Sequence, residues 1–144
     1  MIREAEIGDL NALLELYLCL HEDSIPDESE HLKKTWEQII NDPNHHLIVN
    51  EVDGRLVSSC VCVIIPNLTR SVRPYALIEN VVTHRDFRCR GLASECLNCA
   101  RDIALRENCY KMMLLTGSKD PNTLRFYEKA GYNSSEKTAF VQRL

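Results

Sequence analysis

The first forty residues contain apolar residues at the spacing expected for two helices. The recurrence of Leu and Tyr at three- and four-residue intervals over "GDLNALLELYLCL", residues 8–20, predicts an amphipathic helix after a short strand, "IREAE", at residues 2–6. A second helix is expected from about Glu28 to Ile40, with Trp36 on its buried side. An acidic loop that contains Pro26 separates the two helices.

Apolar runs bounded by turn residues predict the strands. "HHLIVNEVDGRLVSSCVCVII", residues 45–65, is typical of a hairpin, since Asp53-Gly54 tolerates the positive φ angles of a type I′ turn. "YALIENVVT", residues 75–83, is apolar on both faces and is therefore predicted to be a central strand. Two further strands are expected, namely "CYKMMLLTG" at 109–117 and "TAFVQRL" at 138–144.

Two helices accompany the later strands. One is expected from about Gly91 to Glu107, and "DPNTLRFYEKAGY", residues 120–132, is a short helix that stops at Gly131. The order β-α-α-β-β-β-α-β-α-β describes an α/β fold of the α+β kind, a mixed sheet with helices on both faces. At 144 residues, the chain has the size of one domain spanning 1–144.

Charge and cysteine usage narrow the function classes. The net charge of -4 argues against general nucleic-acid binding, which relies on a basic field. No apolar run reaches the length of a membrane span, and "MIREAEIGDL" lacks the features of a signal peptide. An odd number of cysteines, seven, without an export signal predicts reduced thiols and a cytoplasmic location.

A basic loop precedes the helix expected from Gly91. The start of a helix exposes unpaired backbone N–H groups and the positive end of the helix dipole. In "HRDFRCRGLASECL", residues 84–97, Gly91 lets an anion approach the backbone, while Arg88 and Arg90 add charged, forked donors. The stretch therefore favours an anion site, with a solvated basic turn as the alternative.

Metal binding is a less favoured interpretation of the same stretch. Cys96 and Cys99 lie three residues apart, and Cys89 lies one loop earlier, whereas a structural zinc site usually needs two close ligand pairs. Together with Leu92 and Ile103, the two helix cysteines form an apolar stripe typical of a core. We therefore expect no metal site.

Two motifs resemble those of the GNAT superfamily of acyl-CoA N-acyltransferases. "RCRGLA", residues 88–93, is similar to the family's Arg/Gln-x-x-Gly-x-Gly/Ala signature, and "IENVVTHRDFR" before it resembles the family's fourth strand and the turn after it. "TLRFYEKAGY", residues 123–132, resembles the family's C-terminal helix motif. The resemblance implies a mostly antiparallel central sheet with a splay between the fourth and fifth strands. The general pattern is most like small-amine acetyltransferases, such as those acting on glucosamine 6-phosphate or aminoalkylphosphonates.

The resemblance also implies an activity and a cofactor site. The protein would transfer an acetyl group from acetyl-CoA, its co-substrate, directly to a primary amine of a small molecule. The backbone of Val81 and Val82 would pair with the pantetheine arm. The loop amides would hold the CoA diphosphate, and they belong to Arg88, Cys89, Arg90, Gly91, Leu92, Ala93 and Ser94. A protein or peptide amine as acceptor, and a CoA-binding regulatory module without turnover, are the alternatives.

One position departs from the family pattern. The family often has an asparagine seven residues before the tyrosine of its last helix, where this chain has Asp120. Asn122 is a nearby replacement, which is why we include it among the cofactor-binding residues. The family further suggests a homodimer formed through the C-terminal strands.

Two side chains are candidates for the proton transfers. Glu79 is the only charge in the apolar strand 75–83, and burial of a carboxylate raises its proton affinity toward the range useful for a base. Tyr127 matches the family tyrosine that points at the coenzyme sulfur, and a phenol can donate a proton to a departing thiolate. His46 and His84 are weaker candidates for the base.

The acceptor site is less determined by the sequence. It is expected among the first two helices, the loop at 21–31 and the segment 65–74. The acidic residues of that loop could attract a cationic substrate, whereas Arg70 and Arg73 could bind an acidic group on it. The sequence leaves both alternatives open.

Overall fold

A five-stranded sheet forms the centre of the molecule in the computed structural model, which describes all residues from 1 to 144. The strands lie in sequence order, with the first four antiparallel and the fifth parallel to the fourth. Their bounds are β1 Ile2–Glu4, β2 His45–Val52, β3 Arg55–Ile65, β4 Tyr75–Thr83 and β5 Met112–Leu114. The expected mixed, mostly antiparallel sheet is confirmed.

Helices cover both faces of the sheet, as expected. Their bounds are α1 Leu10–Tyr17, α2 Glu30–Asn41, α3 Thr69–Val72, α4 Leu92–Arg106 and α5 Pro121–Lys129. On one face, Leu13, Leu16 and Trp36 of α1 and α2 pack in one apolar cluster, and on the other α4 buries Cys96 and Ile103 in a second. None of these helices combines the length and the hydropathy needed to cross a bilayer.

Local chemistry explains where several elements begin and end. The Asp53-Gly54 turn has φ angles of 50° and 76°, as a type I′ hairpin requires. Helix α2 begins after Ser29, because the Ser29 side chain accepts a hydrogen bond from the Leu32 N–H at 3.1 Å. Trp36 is anchored by its Nε1–H, which donates to the carbonyl of Ile7 at 2.9 Å.

The sheet splays between β4 and β5. These strands pair only from Ala76↔Met112 to Ile78↔Leu114, so the following half of β4 has no strand on that side. At the same place the β3–β4 register shifts, and Asn80 has a left-handed φ of 51°, which marks a β-bulge. The expected splay is confirmed, and it leaves backbone groups of β4 open.

The prediction of a strand at 138–144 is wrong. The segment forms no strand, and Phe140 and Val141 are 91% and 68% exposed. Its composition favours extended structure, but a strand needs a neighbour for its backbone hydrogen bonds, and this segment has none within the chain. The fifth strand is likewise shorter than the nine residues expected at 109–117.

Candidate functional site

A groove of about 670 Å³ opens where β4 and β5 separate. The second half of β4 forms its floor, the loop after β4 and the start of α4 form one wall, and the loop after β5 with α5 forms the other. It collects most of the site residues inferred from the sequence, namely Glu79, Val81, Val82, Arg88, Cys89, Gly91, Leu92, Ala93, Ser94, Asn122 and Tyr127.

The start of α4 presents a row of unbonded backbone amides to this groove. Gly91 adopts a left-handed φ of 82° and precedes the helix, whose first hydrogen bond runs from the Glu95 N–H to the Gly91 carbonyl at 3.0 Å. No amide between residues 88 and 94 donates to a protein acceptor. Unpaired N–H groups at the positive end of a helix dipole favour an anion.

The two arginines of the loop behave differently. Arg88 lines the groove, and its Nε–H donates to the Thr83 carbonyl at 3.4 Å. Arg90 does not line the groove, because its guanidinium lies 5.0 Å from the centre of the Phe87 ring and donates to the Asp86 carbonyl at 3.1 Å. Arg90 therefore contributes its backbone amide to the unbonded row and does not supply the forked side-chain donors expected from the sequence.

Glu79 lies in the groove but is exposed. The strand is apolar around it, yet β5 leaves β4 after Ile78, and no neighbour covers the next residue on that side. The expectation of a buried carboxylate is therefore wrong. The case for Glu79 as a base rests on its place in the groove alone.

Tyr127 faces the groove from α5 and is partly buried. Its ring packs against Phe126 and Tyr132, with centroid distances of 5.0 Å and 6.3 Å. Burial raises the pKa of Tyr127 above the ordinary value, and its hydroxyl makes no hydrogen bond within the chain. The phenol therefore stays protonated at neutral pH and is free to donate to a ligand in the groove.

The two histidines considered as bases are engaged elsewhere. Nδ1 of His46 lies 3.2 Å from a carboxylate oxygen of Glu4, at the pairing of β1 and β2. Nε2 of His84 lies 2.8 Å from Nη2 of Arg55, and Nδ1 accepts a hydrogen bond from the Asp86 N–H at 3.3 Å. Neither histidine lines the groove, which disfavours both as proton acceptors.

The structure also reduces the set of residues expected to bind the acceptor. Arg73 is used structurally, because it donates to the carbonyls of Asn108 and Cys109, each at 3.1 Å. The acidic residues of the α1–α2 loop do not line the groove, whereas Cys19–His21 at the start of that loop do.

Residues 114–118 also line the groove, and the sequence analysis did not identify them. The sequence did contain an indication of their position, because a polar segment with a glycine follows directly after a predicted buried strand.

The sequence of this chain matches the Acetyltransferase (GNAT) family over residues 10–132. The chain belongs to this family. The resemblance drawn from the loop motif and the last-helix motif is thereby confirmed, and acetyl-CoA is the donor that the acetyltransferases of this family use. The groove therefore lies on a GNAT fold.

Two curated relatives are similar to this chain over part of their own length. A glucosamine 6-phosphate N-acetyltransferase of Trypanosoma brucei brucei is 34% identical over 84 residues, which are 58% of this chain and 55% of that protein. An uncharacterised N-acetyltransferase of Methanocaldococcus jannaschii is 27% identical over 142 residues, 94% of this chain and 61% of that protein. The chain thus spans less than two thirds of either relative.

Solved structures match over nearly their full length. A protein from Agrobacterium tumefaciens assigned as an acetyltransferase is 38% identical with a TM-score of 0.93, and the match covers 100% of this chain and 99% of that one. Glucosamine-6-phosphate N-acetyltransferase from Arabidopsis thaliana is 26% identical with a TM-score of 0.85, covering 100% and 97%. A transcriptional regulator from Bacillus halodurans is 28% identical with a TM-score of 0.87, covering 99% of each.

Proposed function

We propose that the protein transfers an acetyl group from acetyl-CoA directly to a primary amine of a small molecule. The observation that carries the proposal is the row of unbonded amides at residues 88–94, at one end of a groove that also holds Glu79 and Tyr127. The diphosphate would lie at the start of α4, and the pantetheine arm would add to the open edge of β4 at Val81 and Val82.

The groove offers side chains for both proton transfers. In the reaction a C–N bond forms and the thioester C–S bond breaks. An amine that starts in its protonated form loses one proton before the attack and a second as the amide forms, while the thiolate gains one proton and the other is released to the solvent. A primary amine resembles Lys, with a pKa of about 10, and must lose a proton before it attacks. Glu79 would accept that proton directly or through a water, and Tyr127 would donate one to the sulfur.

A screen of acceptors, with release of free CoA thiol as the readout, tests this function. The panel contains amino sugars, aminophosphonates, simple amines and peptides, and glucosamine 6-phosphate comes first because two relatives carry its name. We expect acetyl-CoA turnover with a small amine. Turnover only with peptides would favour a protein N-acetyltransferase, and binding of CoA without turnover on any amine would favour a regulatory module. Failure to bind CoA would overturn the proposal.

We also propose a homodimer in which the arm at residues 138–144 pairs with the β5 edge of a second copy. The outer edge of β5 and the arm both lack a partner strand, and Phe140 leaves an apolar ring 91% exposed. Light scattering should report a dimer for the wild type and a monomer for Phe140→Asp. A wild type that stays monomeric at all concentrations contradicts the dimer and leaves the acetyltransferase proposal intact.

A further inference from the structure

Asn50 is a buried polar side chain that the proposed reaction does not use. It lies in β2 and is 1% exposed. Ile48, two residues earlier on the same face of the strand, belongs to the apolar cluster beneath α4. An amide in such a place costs free energy unless its hydrogen bonds are satisfied, so its partners indicate its purpose.

The amide of Asn50 is bonded to the first turn of α4. Its Nδ2–H donates to a carboxylate oxygen of Glu95 at 2.6 Å, and its Oδ1 accepts from the amino group of Met1 at 3.3 Å. Glu95 is the residue whose own N–H makes the first hydrogen bond of the helix, to Gly91. One buried side chain thus connects β2 to the turn that presents the unbonded amides.

Glu95 is a negative charge close to a site that suits a negative ligand. The helix dipole attracts a carboxylate in the first turn, so a free Glu95 side chain would compete with a diphosphate for that end of the helix and repel it. In the structure this competition does not occur, because residues 91–94 line the groove and Glu95 does not. Its carboxylate is instead bonded to Asn50.

We infer that Asn50 is a positioning residue for the acyl donor, which holds the Glu95 carboxylate against the sheet and so keeps the amides at the start of α4 open to a diphosphate. The inference rests on the proposed function, since it takes the donor to be a CoA thioester. It assigns a role to a residue of β2 that lies outside the groove.

The test is a double-mutant cycle between Asn50 and Glu95, with affinities for dephospho-CoA and pantetheine measured by calorimetry. Asn50→Leu keeps the number and branching of the side-chain heavy atoms and releases Glu95, so dephospho-CoA should bind about tenfold more weakly, as expected for coupled neighbours. Pantetheine lacks the diphosphate and should bind unchanged. Glu95→Ala should bind dephospho-CoA at least as well as the wild type, and the double variant Asn50→Leu/Glu95→Ala should recover wild-type affinity.

Steady-state kinetics on the same variants provide a second readout. With an acceptor identified by the screen, Asn50→Leu should raise KM for acetyl-CoA. It should leave kcat nearly unchanged, because Glu79 and Tyr127 are not altered. If the double variant binds as weakly as Asn50→Leu, or if Asn50→Leu binds like the wild type, Asn50 only supports the fold and the inference is overturned. A wild type that does not bind dephospho-CoA at all removes the proposed function as well, which is a different result.

A second set of variants, in which the amide and the carboxylate exchange positions, tests the inference if Asn50→Leu fails to fold. Asn50→Asp places a second carboxylate against Glu95 and should weaken dephospho-CoA binding, whereas Asn50→Asp/Glu95→Gln restores one amide and one carboxylate and should recover it. Equal affinity of Asn50→Asp and the wild type would overturn the inference by this route.

Discussion

The carboxylate of Asp120 accepts a hydrogen bond from the backbone N–H of Asn122 at 3.0 Å and thereby caps α5. Asp120 stands seven residues before Tyr127, at the position where the family often has an asparagine. Both residues line the groove, but the Asp120 side chain is already used by the helix, whereas the Asn122 side chain makes no hydrogen bond within the chain. We therefore expect Asn122, and not Asp120, to bind the donor.

Alanine substitutions should separate the two roles. Asp120→Ala should lower the free energy of unfolding by about 1 kcal/mol, since it removes a helix cap. Asn122→Ala should leave the free energy of unfolding nearly unchanged and weaken acetyl-CoA binding. Urea denaturation and calorimetry measure the two quantities, and the assignment is wrong if Asn122→Ala binds acetyl-CoA like the wild type.

Gly91 should be the position in the loop that is most sensitive to substitution. CoA at about a hundred times its Kd should stabilise the wild type by roughly 2.7 kcal/mol. For a chain of this size that raises Tm by about 5 to 15 °C. Gly91→Val forces a branched side chain into a φ of 82° at the place proposed for the phosphate, and should erase most of the CoA-induced rise.

Gly131 supplies the matched control for this experiment. It has a comparable left-handed φ of 98° with no neighbouring atoms in the way of a side chain, and it lies after α5 outside the groove. Gly131→Val should lower the Tm of the free protein as Gly91→Val does, but keep the CoA-induced rise. Pantetheine should produce little rise in the wild type. An equal rise with pantetheine and with CoA would show that residues 88–94 do not hold the diphosphate.

Tyr127→Phe should lower kcat and leave acetyl-CoA binding nearly intact. The expected loss is about ten- to ten-thousand-fold, the range for one general acid. Because burial raises the pKa of Tyr127 above about 10, its ordinary value, deprotonation of this phenol should not limit the reaction on the alkaline side up to that pH. An unchanged kcat under conditions where chemistry is rate-limiting removes Tyr127 from the mechanism.

Glu79→Gln should abolish the acidic limb of the profile of kcat/KM against pH. The substitution keeps the size of the side chain and removes its ability to accept a proton, so the loss reports proton transfer rather than a change of shape. The measurement is a pH series with the acceptor that the screen identifies. Survival of the limb at the same pH means that another group, or the solvent, accepts the proton.

The ion pair between Arg3 and Asp9 should make stability depend on pH. Arg3 donates to both carboxylate oxygens of Asp9, at 2.6 Å and 3.0 Å, and this lowers the pKa of Asp9 below its ordinary value. Its contribution is therefore present above about pH 4, the unfolded pKa, and is lost as the pH falls through the lower folded pKa. Denaturation of Asp9→Asn should show a deficit at pH 7 that narrows below about pH 4.

The control for this pair is Asp102→Asn, an exposed acid of α4 without an ion-pair partner. Its difference from the wild type should stay small across the same pH range. If the Asp9→Asn deficit does not change between pH 7 and pH 3, the ion pair contributes nothing through its charge.

The sequence by itself determined most of the elements and the family. The spacing of apolar residues placed β4 and the long helix, the Asp53-Gly54 turn set the hairpin, and Gly91 marked the start of α4, because each of these depends on local sequence patterns and backbone preferences. The tertiary structure alone decided the surroundings of each side chain. Glu79 is exposed because β5 departs after Ile78, and the arm at 138–144 forms no strand because it has no partner within the chain.

The sequence pattern did not indicate the contacts of Asn50 or of the Arg90 side chain, and the reason is the same for both. Asn50 follows the apolar run 47–49 in β2, and its bond to Glu95 joins positions 45 residues apart. Arg90 sits in the motif, yet its side chain packs on Phe87. Burial, pairing and charge contacts depend on which distant segments meet, and that is settled by the packing of the whole chain rather than by the periodicity of any one segment.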